Sequence, residues 1–255
     1  MSSIRNLSLF LFILSLSICF GLNSYSQELV TNGDFEEGNL TGWTTAVESG
    51  SDSSCGYYRY SGTQSFWGNP IPAPPVGDHA VASDTLEPTC SSAIFQEITV
   101  PSGSEVSCFL IYYYTNFGDE FVIGPGLNSS DLGNTNQQAR IDILTEGAGN
   151  FGTGNGVLEN LVQTEPGDPN TLDYTTLEFD LTDYAGSTVK LRAAQASNRG
   201  VLLFAIDSVS CTVEDLIGDD EISSVPTLSE WGLIAMAGVL GAVGFMVMRR
   251  RKATA

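Results

Sequence analysis

The sequence predicts an all-β fold, an antiparallel jelly-roll β-sandwich, set between two apolar ends that lie outside it. Three observations carry this. From about Glu28 to Val213 the chain shows short apolar alternations cut by Gly, Pro, Asn and Asp. No long stretch there keeps a helical period, which is the pattern of an antiparallel domain. The long apolar runs fall instead at the two ends, Leu9 to Leu22 and Gly232 to Met248.

At the N-terminus, residues 1–26 read as a cleaved signal peptide. Arg5 precedes the apolar run, and Ser24 and Ser26 occupy the minus-three and minus-one positions of a cleavage site before Gln27. An N-terminal membrane helix is disfavoured, because the run is shorter than the roughly 20 residues that a span needs. A lipidated Cys19 is disfavoured because Ile18 stands where a small residue is required, so Cys19 leaves with the signal.

Within the middle region the expected strands are Glu28 to Thr31, His79 to Ser83, Ala93 to Val100, Val106 to Thr115 and Ala139 to Thr145. Thr175 to Leu181, Thr188 to Ala194 and Leu202 to Val213 follow. About eight strands in two sheets suggest the jelly roll. The Gly-rich stretch from Gly147 to Gly156 has no Lys of a phosphate-binding loop and no following helix, so it reads as a flexible hairpin connection.

Removing Cys19 leaves Cys55, Cys90, Cys108 and Cys211, an even set in an exported chain, which argues for two disulfides. Three pairings are open. Cys55 with Cys90 would flank one long loop, and Cys108 with Cys211 would tie an early strand to the last; these are the favoured pairs. With no CxxC spacing and His79 as the sole histidine, a zinc site lacks ligands.

The net charge is −20, and every Asp and Glu lies between Glu28 and Glu230, whereas Arg249, Arg250, Arg251 and Lys252 form a terminal basic cluster. So acidic an exported part repels a phosphate backbone, which excludes nucleic acid as a partner. Acidity supports solubility outside the cell, with divalent-cation binding as the alternative.

Residues 214–224 are polar, acidic and short, and read as a linker. The uncharged run 232–248, rich in Gly and Ala, is just long enough to cross a bilayer as one transmembrane helix. Its basic tail would stay cytoplasmic, leaving everything upstream outside the inner membrane, as the signal peptide also requires. The span is preceded by Val225, Pro226, Thr227, Leu228, Ser229, Glu230, Trp231 and Gly232. This string, with the span and Arg249, Arg250 and Arg251, resembles the IPTL-CTERM sorting signals over residues 225–252, with Val225 in place of the usual Ile. The resemblance implies recognition by an exosortase-type enzyme in the inner membrane, followed by passage to the cell surface. These residues would then be substrate. Physically, Pro226 keeps the approach extended and Trp231 suits the membrane interface.

Two further strings carry a second resemblance. Leu29 to Glu36 (LVTNGDFE) followed by Gly38 to Trp43 is similar to the opening of the galactose-binding-like jelly rolls, a superfamily that includes many carbohydrate-binding modules. Thr182 to Arg192 and Phe204 to Val209 resemble its closing strands, which makes residues 27–213 the domain. The resemblance implies a structural Ca2+ joining Glu36 to Asp207, with backbone carbonyls around Asn32 and Gly33 completing an oxygen shell. The alternative leaves Asp207 hydrogen-bonded at a strand bend and Glu36 solvated.

Sugar binding calls for aromatic faces. Tyr57, Tyr58, Tyr60 and Trp67, beside Phe66 in what reads as a loop after Cys55, are the candidate ligand-binding residues, although large aromatics more commonly pack. Trp43 and Tyr112 to Tyr114 read as packing. No catalytic residue is assigned: there is no G-x-S-x-G elbow and one imidazole, so the chain reads as no enzyme. The leading expectation is a surface or extracellular-matrix protein with a structural or adhesive β-domain. Its alternatives are a displayed carbohydrate-binding module, whose partner would be extracellular polysaccharide, and an exported glycoside hydrolase using two carboxylates. Signal peptidase and the exosortase-type enzyme are the expected processing partners.

Overall fold

The computed structural model describes residues 26–214, which form an all-β antiparallel sandwich. Residues 1–25 of the expected signal peptide, the acidic linker after Glu214, the expected sorting-signal residues Val225 to Gly232, the expected transmembrane helix and Arg249 to Arg251 lie outside the described residues. Among the described residues no helix is long and apolar enough to cross a membrane.

Among the described residues there are eleven strands: β1 (Gln27–Glu28), β2 (Thr44–Val47), β3 (Gly56–Tyr60), β4 (Ala80–Asp84), β5 (Cys90–Thr99), β6 (Glu105–Asn116), β7 (Gln137–Thr145), β8 (Val157–Gln163), β9 (Thr171–Asp180), β10 (Thr188–Ser197) and β11 (Leu202–Glu214). One sheet runs β3-β4-β11-β6-β9, with β1 also on β11, and the other β2-β5-β10-β7-β8. A single 3₁₀ turn, Thr182–Tyr184, links β9 to β10.

Alternation explains the layering. In β10, Val189, Leu191 and Ala193 point into the core between the sheets, where they meet Ile94, Ile98, Ile141 and Ile143. Period two sends Lys190 and Arg192 to the opposite face. Loops cover that face, so both are buried all the same. β5, β7 and β10 are buried on both faces over most of their length.

Three strands escaped the sequence reading: β2, β3 and β8. All are edge strands; β2 is short and largely exposed, and β8 is at best half-buried and pairs its apolar residues (Val157-Leu158, Leu161-Val162) without alternating them, so no period-two pattern marks either. The expected strand Glu28 to Thr31 shortens to Gln27–Glu28, because the chain then crosses to the other sheet. There the Thr31 amide donates to Gln96 Oε1 (2.7 Å), and Gln96 Nε2 donates to Thr31 O (3.0 Å).

Both favoured disulfides form. Cys108 and Cys211 stand directly opposite each other on β6 and β11. Cys55, just before β3, and Cys90, which opens β5, join the two sheets.

Candidate functional site

The corner where the opening segment meets the end of the sandwich holds the residues implied as calcium ligands. Between Asp207 and Ser210 the β11 ladder is broken by a bulge, and the segment Asn32 to Glu36 packs onto it. Val209 N donates to Gly33 O (2.9 Å), an approach so close that a Cβ on Gly33 would collide with the Val209 carbonyl. Among the described residues the non-glycine positions with left-handed φ are Asn32 (50°), Phe35 (57°) and Ser208 (51°), all at this corner. Such backbone is sparsely populated and persists where the surroundings over-determine it.

Asp207 is fully buried. Its Oδ1 accepts from the Ser208 amide (2.7 Å), while Oδ2 has no partner. Burial pushes its pKa up to about 7; the amides of Ser208 and Val76 partly offset this, and the negative charges of Glu36 and Asp34 reinforce it. Glu36 is partly exposed. Its Oε1 accepts from the amides of Asp78 and His79 (both 2.8 Å) and its Oε2 meets His79 Nδ1 at 2.9 Å. The His79 ring, and then those amides, hold the Glu36 carboxyl below the usual range despite some burial. A Cβ at Gly77 (φ +66°) would strike this carboxylate, so the turn after Val76 needs glycine.

Beside the corner runs an open groove of about 630 Å³, with Glu28, Asp34, Glu36 and Glu37 around Val30 and Phe109. Among the described residues no three His, Cys, Asp or Glu side chains converge to hold a metal. Any cation here would depend on backbone oxygens. Asn32 O already accepts from both Trp43 Nε1 (3.0 Å) and the Phe35 amide (3.3 Å), which uses both of its lone pairs, whereas Gly33 O accepts only from the Val209 amide and keeps one.

The aromatic group changes character. Because Gly56–Tyr60 is a strand and not a loop, its side chains alternate. Tyr57 points into the core at 4% exposure, its hydroxyl unpartnered and its pKa raised by burial. Tyr60, at 5%, is packed with Ile71 and Tyr113, its hydroxyl bonded to that of Tyr174. Neither can offer a face to a sugar, which corrects the sequence expectation for both. Tyr58 stacks on Phe66 (centroids 4.4 Å apart, planes 12°), and Trp67 stands edge-on to both. The Tyr58 hydroxyl and Trp67 Nε1 both donate to Ser54 O (2.9 and 2.8 Å). Phe66 and Trp67 remain 56% and 38% exposed. Trp43, Tyr113 and Tyr114 are buried, as packing residues should be.

A buried charge cluster lies on the loop-covered face of the second sheet, and the sequence offered no motif for it. Asp142 accepts from Arg140 Nη2 (2.6 Å), from Asn160 Nδ2 (2.8 Å) and from Arg192 Nη2. Arg192 Nη1 donates to the carbonyls of Asn150 (2.8 Å) and Gly152 (2.9 Å), and Lys190 Nζ to that of Ala148 (3.0 Å). The Gly-rich connection is therefore pinned by cations, a correction to its reading as flexible. The one available signal was the K-x-R alternation of β10, whose period predicts two cations on one face.

Residues 223–251 match the family model described as the IPTL-CTERM motif. The chain thus carries that motif where the sequence predicts it. No curated protein matches the chain. Solved structures with a similar course include TmCBM61 in complex with β-1,4-galactotriose, at 13% identity and TM-score 0.42, covering 72% of this chain and 97% of that one. The K3 cleaved adhesin domain of Lys-gingipain from Porphyromonas gingivalis W83 gives 14% and 0.44, covering 74% and 99%. An arabinose-bound MgGH51 α-L-arabinofuranosidase gives 13% and 0.40, covering 73% of this chain but only 26% of that enzyme. At such TM-scores these similarities assign no residue and no ligand; the architecture rests on the sheet order described above.

Proposed function

We propose that this chain is an exported surface protein, handed through its C-terminal signal to an exosortase-type enzyme, whose β-sandwich serves outside the cell as a structural or adhesive module. The observation that carries this is the IPTL-CTERM motif at residues 223–251. Two closed disulfides within the domain support it, since such bridges persist in oxidising compartments. The chain would be anchored in the inner membrane by residues 232–248 and reach the surface after processing. The test is the intact mass of the surface fraction. A product beginning near Gln27 and lacking the basic tail is expected; surface protein that keeps Trp231 through Lys252 would sink the processed tail.

A second reading, carbohydrate binding, is favoured by one specific observation, the exposed Phe66 braced by Tyr58 and Trp67. An exposed aromatic ring suits stacking on a sugar. Phe66→Ala should abolish saturable binding on a glycan array while leaving the fold intact. Unchanged binding by this variant would exclude the platform.

The corner residues fit calcium in one respect: Asp207 Oδ2 is buried without a partner, a cost that a cation would remove. Glu36 and Asp207 would hold it, aided by the Gly33 carbonyl, since that of Asn32 is already taken up by two donors. Bound there, calcium would neutralise converging charge and fasten the opening segment to β11. The bulge and the left-handed residues position that segment with or without it.

A further inference from the structure

We infer that Asn39 is an acceptor site for covalent attachment of a glycan through its carboxamide nitrogen, with Asn128 as a second. Asn39-Leu40-Thr41 and Asn128-Ser129-Ser130 both have the spacing that this modification requires, an Asn followed two residues later by a hydroxyl, with no intervening proline. The spacing alone is common, and the geometry adds to it. Asn39 is exposed, and its Oδ1 accepts from both the amide (2.8 Å) and the hydroxyl of Thr41. Asn128, also exposed, repeats the arrangement with the amide and hydroxyl of Ser130 (both 2.8 Å).

The contrast with the structural asparagines is informative. Asn32, Asn69, Asn136 and Asn160 each spend Nδ2 on a protein acceptor. Among the described residues Asn39 and Asn128 use only the oxygen side of the amide, so Nδ2 is left to solvent. The hydroxyl bond fixes the carboxamide plane and draws electron density towards its oxygen. The turn is itself held: Asn32 Nδ2 donates to the carbonyls of Asn39 (3.0 Å) and Thr41 (3.3 Å), and Trp43 N to Leu40 O (2.9 Å). Substitution there places bulk on the surface, with no buried group displaced.

The donor would be a glycan activated at its anomeric carbon by a lipid-linked diphosphate. The carbon–nitrogen bond forms at Nδ2, the bond from the anomeric carbon to the diphosphate oxygen breaks, the diphosphate leaves with that electron pair, and Nδ2 loses one proton. No oxidant or reductant takes part. The inference rests on the proposed export, because this chemistry is placed outside the cytoplasm.

The test is peptide mass spectrometry on the full chain from the cells that naturally make it, beside the Asn39→Gln, Thr41→Val, Thr41→Ser and Asn128→Gln variants. The Asn39 peptide should carry added glycan mass, lost in Asn39→Gln and Thr41→Val and kept in Thr41→Ser. Asn128→Gln should remove a second, independent increment. Thr41→Ser keeps the hydroxyl bond, so it separates loss of the acceptor from loss of the fold. A chain that has lost residues 1–26 but carries bare Asn39 overturns the inference and leaves export standing. One that keeps those residues and is bare overturns both.

Discussion

Asp142 offers the sharpest test of how the sandwich is held together. Its carboxylate is fully buried between Arg192, also fully buried, and Arg140, which is nearly so. Replacing it by Asn keeps the volume and removes the charge that both guanidinium groups face. Breaking a buried pair from one side typically costs about 3 to 5 kcal/mol, because it strands the remaining charge. Two guanidiniums are stranded here. Arg192 keeps the carbonyls of Asn150 and Gly152, which moderates the loss, so about 4 kcal/mol is expected for Asp142→Asn. In a domain of this size that lowers Tm by roughly 10 °C, at about 2 to 4 °C per kcal/mol. Urea unfolding of the two proteins side by side gives the free-energy difference directly. Hydrogen exchange should also quicken in residues 147–156, which the cations of β10 hold in place. A loss below about 1 kcal/mol, the range of an exposed pair, would refute the reasoning.

Other outcomes follow from the same structure. Asp207 has a folded pKa of about 7, above the ordinary carboxylate value near 3.8, so the fold favours its protonated form. The contribution of Asp207 to metal-free stability is therefore fully present below about 3.8 and is lost as pH rises through about 7, which makes roughly 3 kcal/mol between pH 5 and pH 8 at about 1.36 kcal/mol per pKa unit. Urea midpoints in chelator at pH 5 and pH 8 would show this. Asp207→Asn should flatten the difference, and added calcium should restore the wild-type protein, but not this variant, at pH 8. Tyr57→Phe removes a buried hydroxyl with no partner and should be neutral or stabilising by about 1 kcal/mol; a loss of that size would mean the hydroxyl has a bound partner. Replacing Cys108 and Cys211 together by Ala opens a bridge between residues 103 apart and should cost about 2 to 5 kcal/mol, read from the urea midpoint.

Much of the fold was legible because β10, β6 and β11 carry strong local patterns. In Val189 to Ala193, apolar and charged side chains alternate without interruption, and a pleated strand must separate them. β3 was not legible in the same way. Gly-Tyr-Tyr-Arg-Tyr after a cysteine suits a pinned loop as well as an edge strand, and only pairing with β4 decides between them. That pairing buries Tyr57 and leaves Tyr58 to meet Phe66 and Trp67. The acidic corner was half legible: the strings around Glu36 and Asp207 resembled those that meet in such domains, and they do meet. That Glu36 caps the Asp78 and His79 amides, while Asp207 lacks a partner for Oδ2, depends on the turn after Val76, far from both in sequence.

By itself the sequence determined the address and the layering. An octapeptide before an apolar run and an arginine cluster is a linear signal, recognisable without any fold, and period-two alternation is a property of the strand alone. Tertiary structure decided which of the outward residues meet water. Arg192 and Lys190 lie on the outer face of their sheet, yet they are buried because the 147–156 connection folds over them. Phe66, in the connection after β3, stays 56% exposed even with Tyr58 and Trp67 packed on it. Burial of an outward-facing side chain is set by loops that arrive from distant parts of the chain, and no local pattern encodes their arrival.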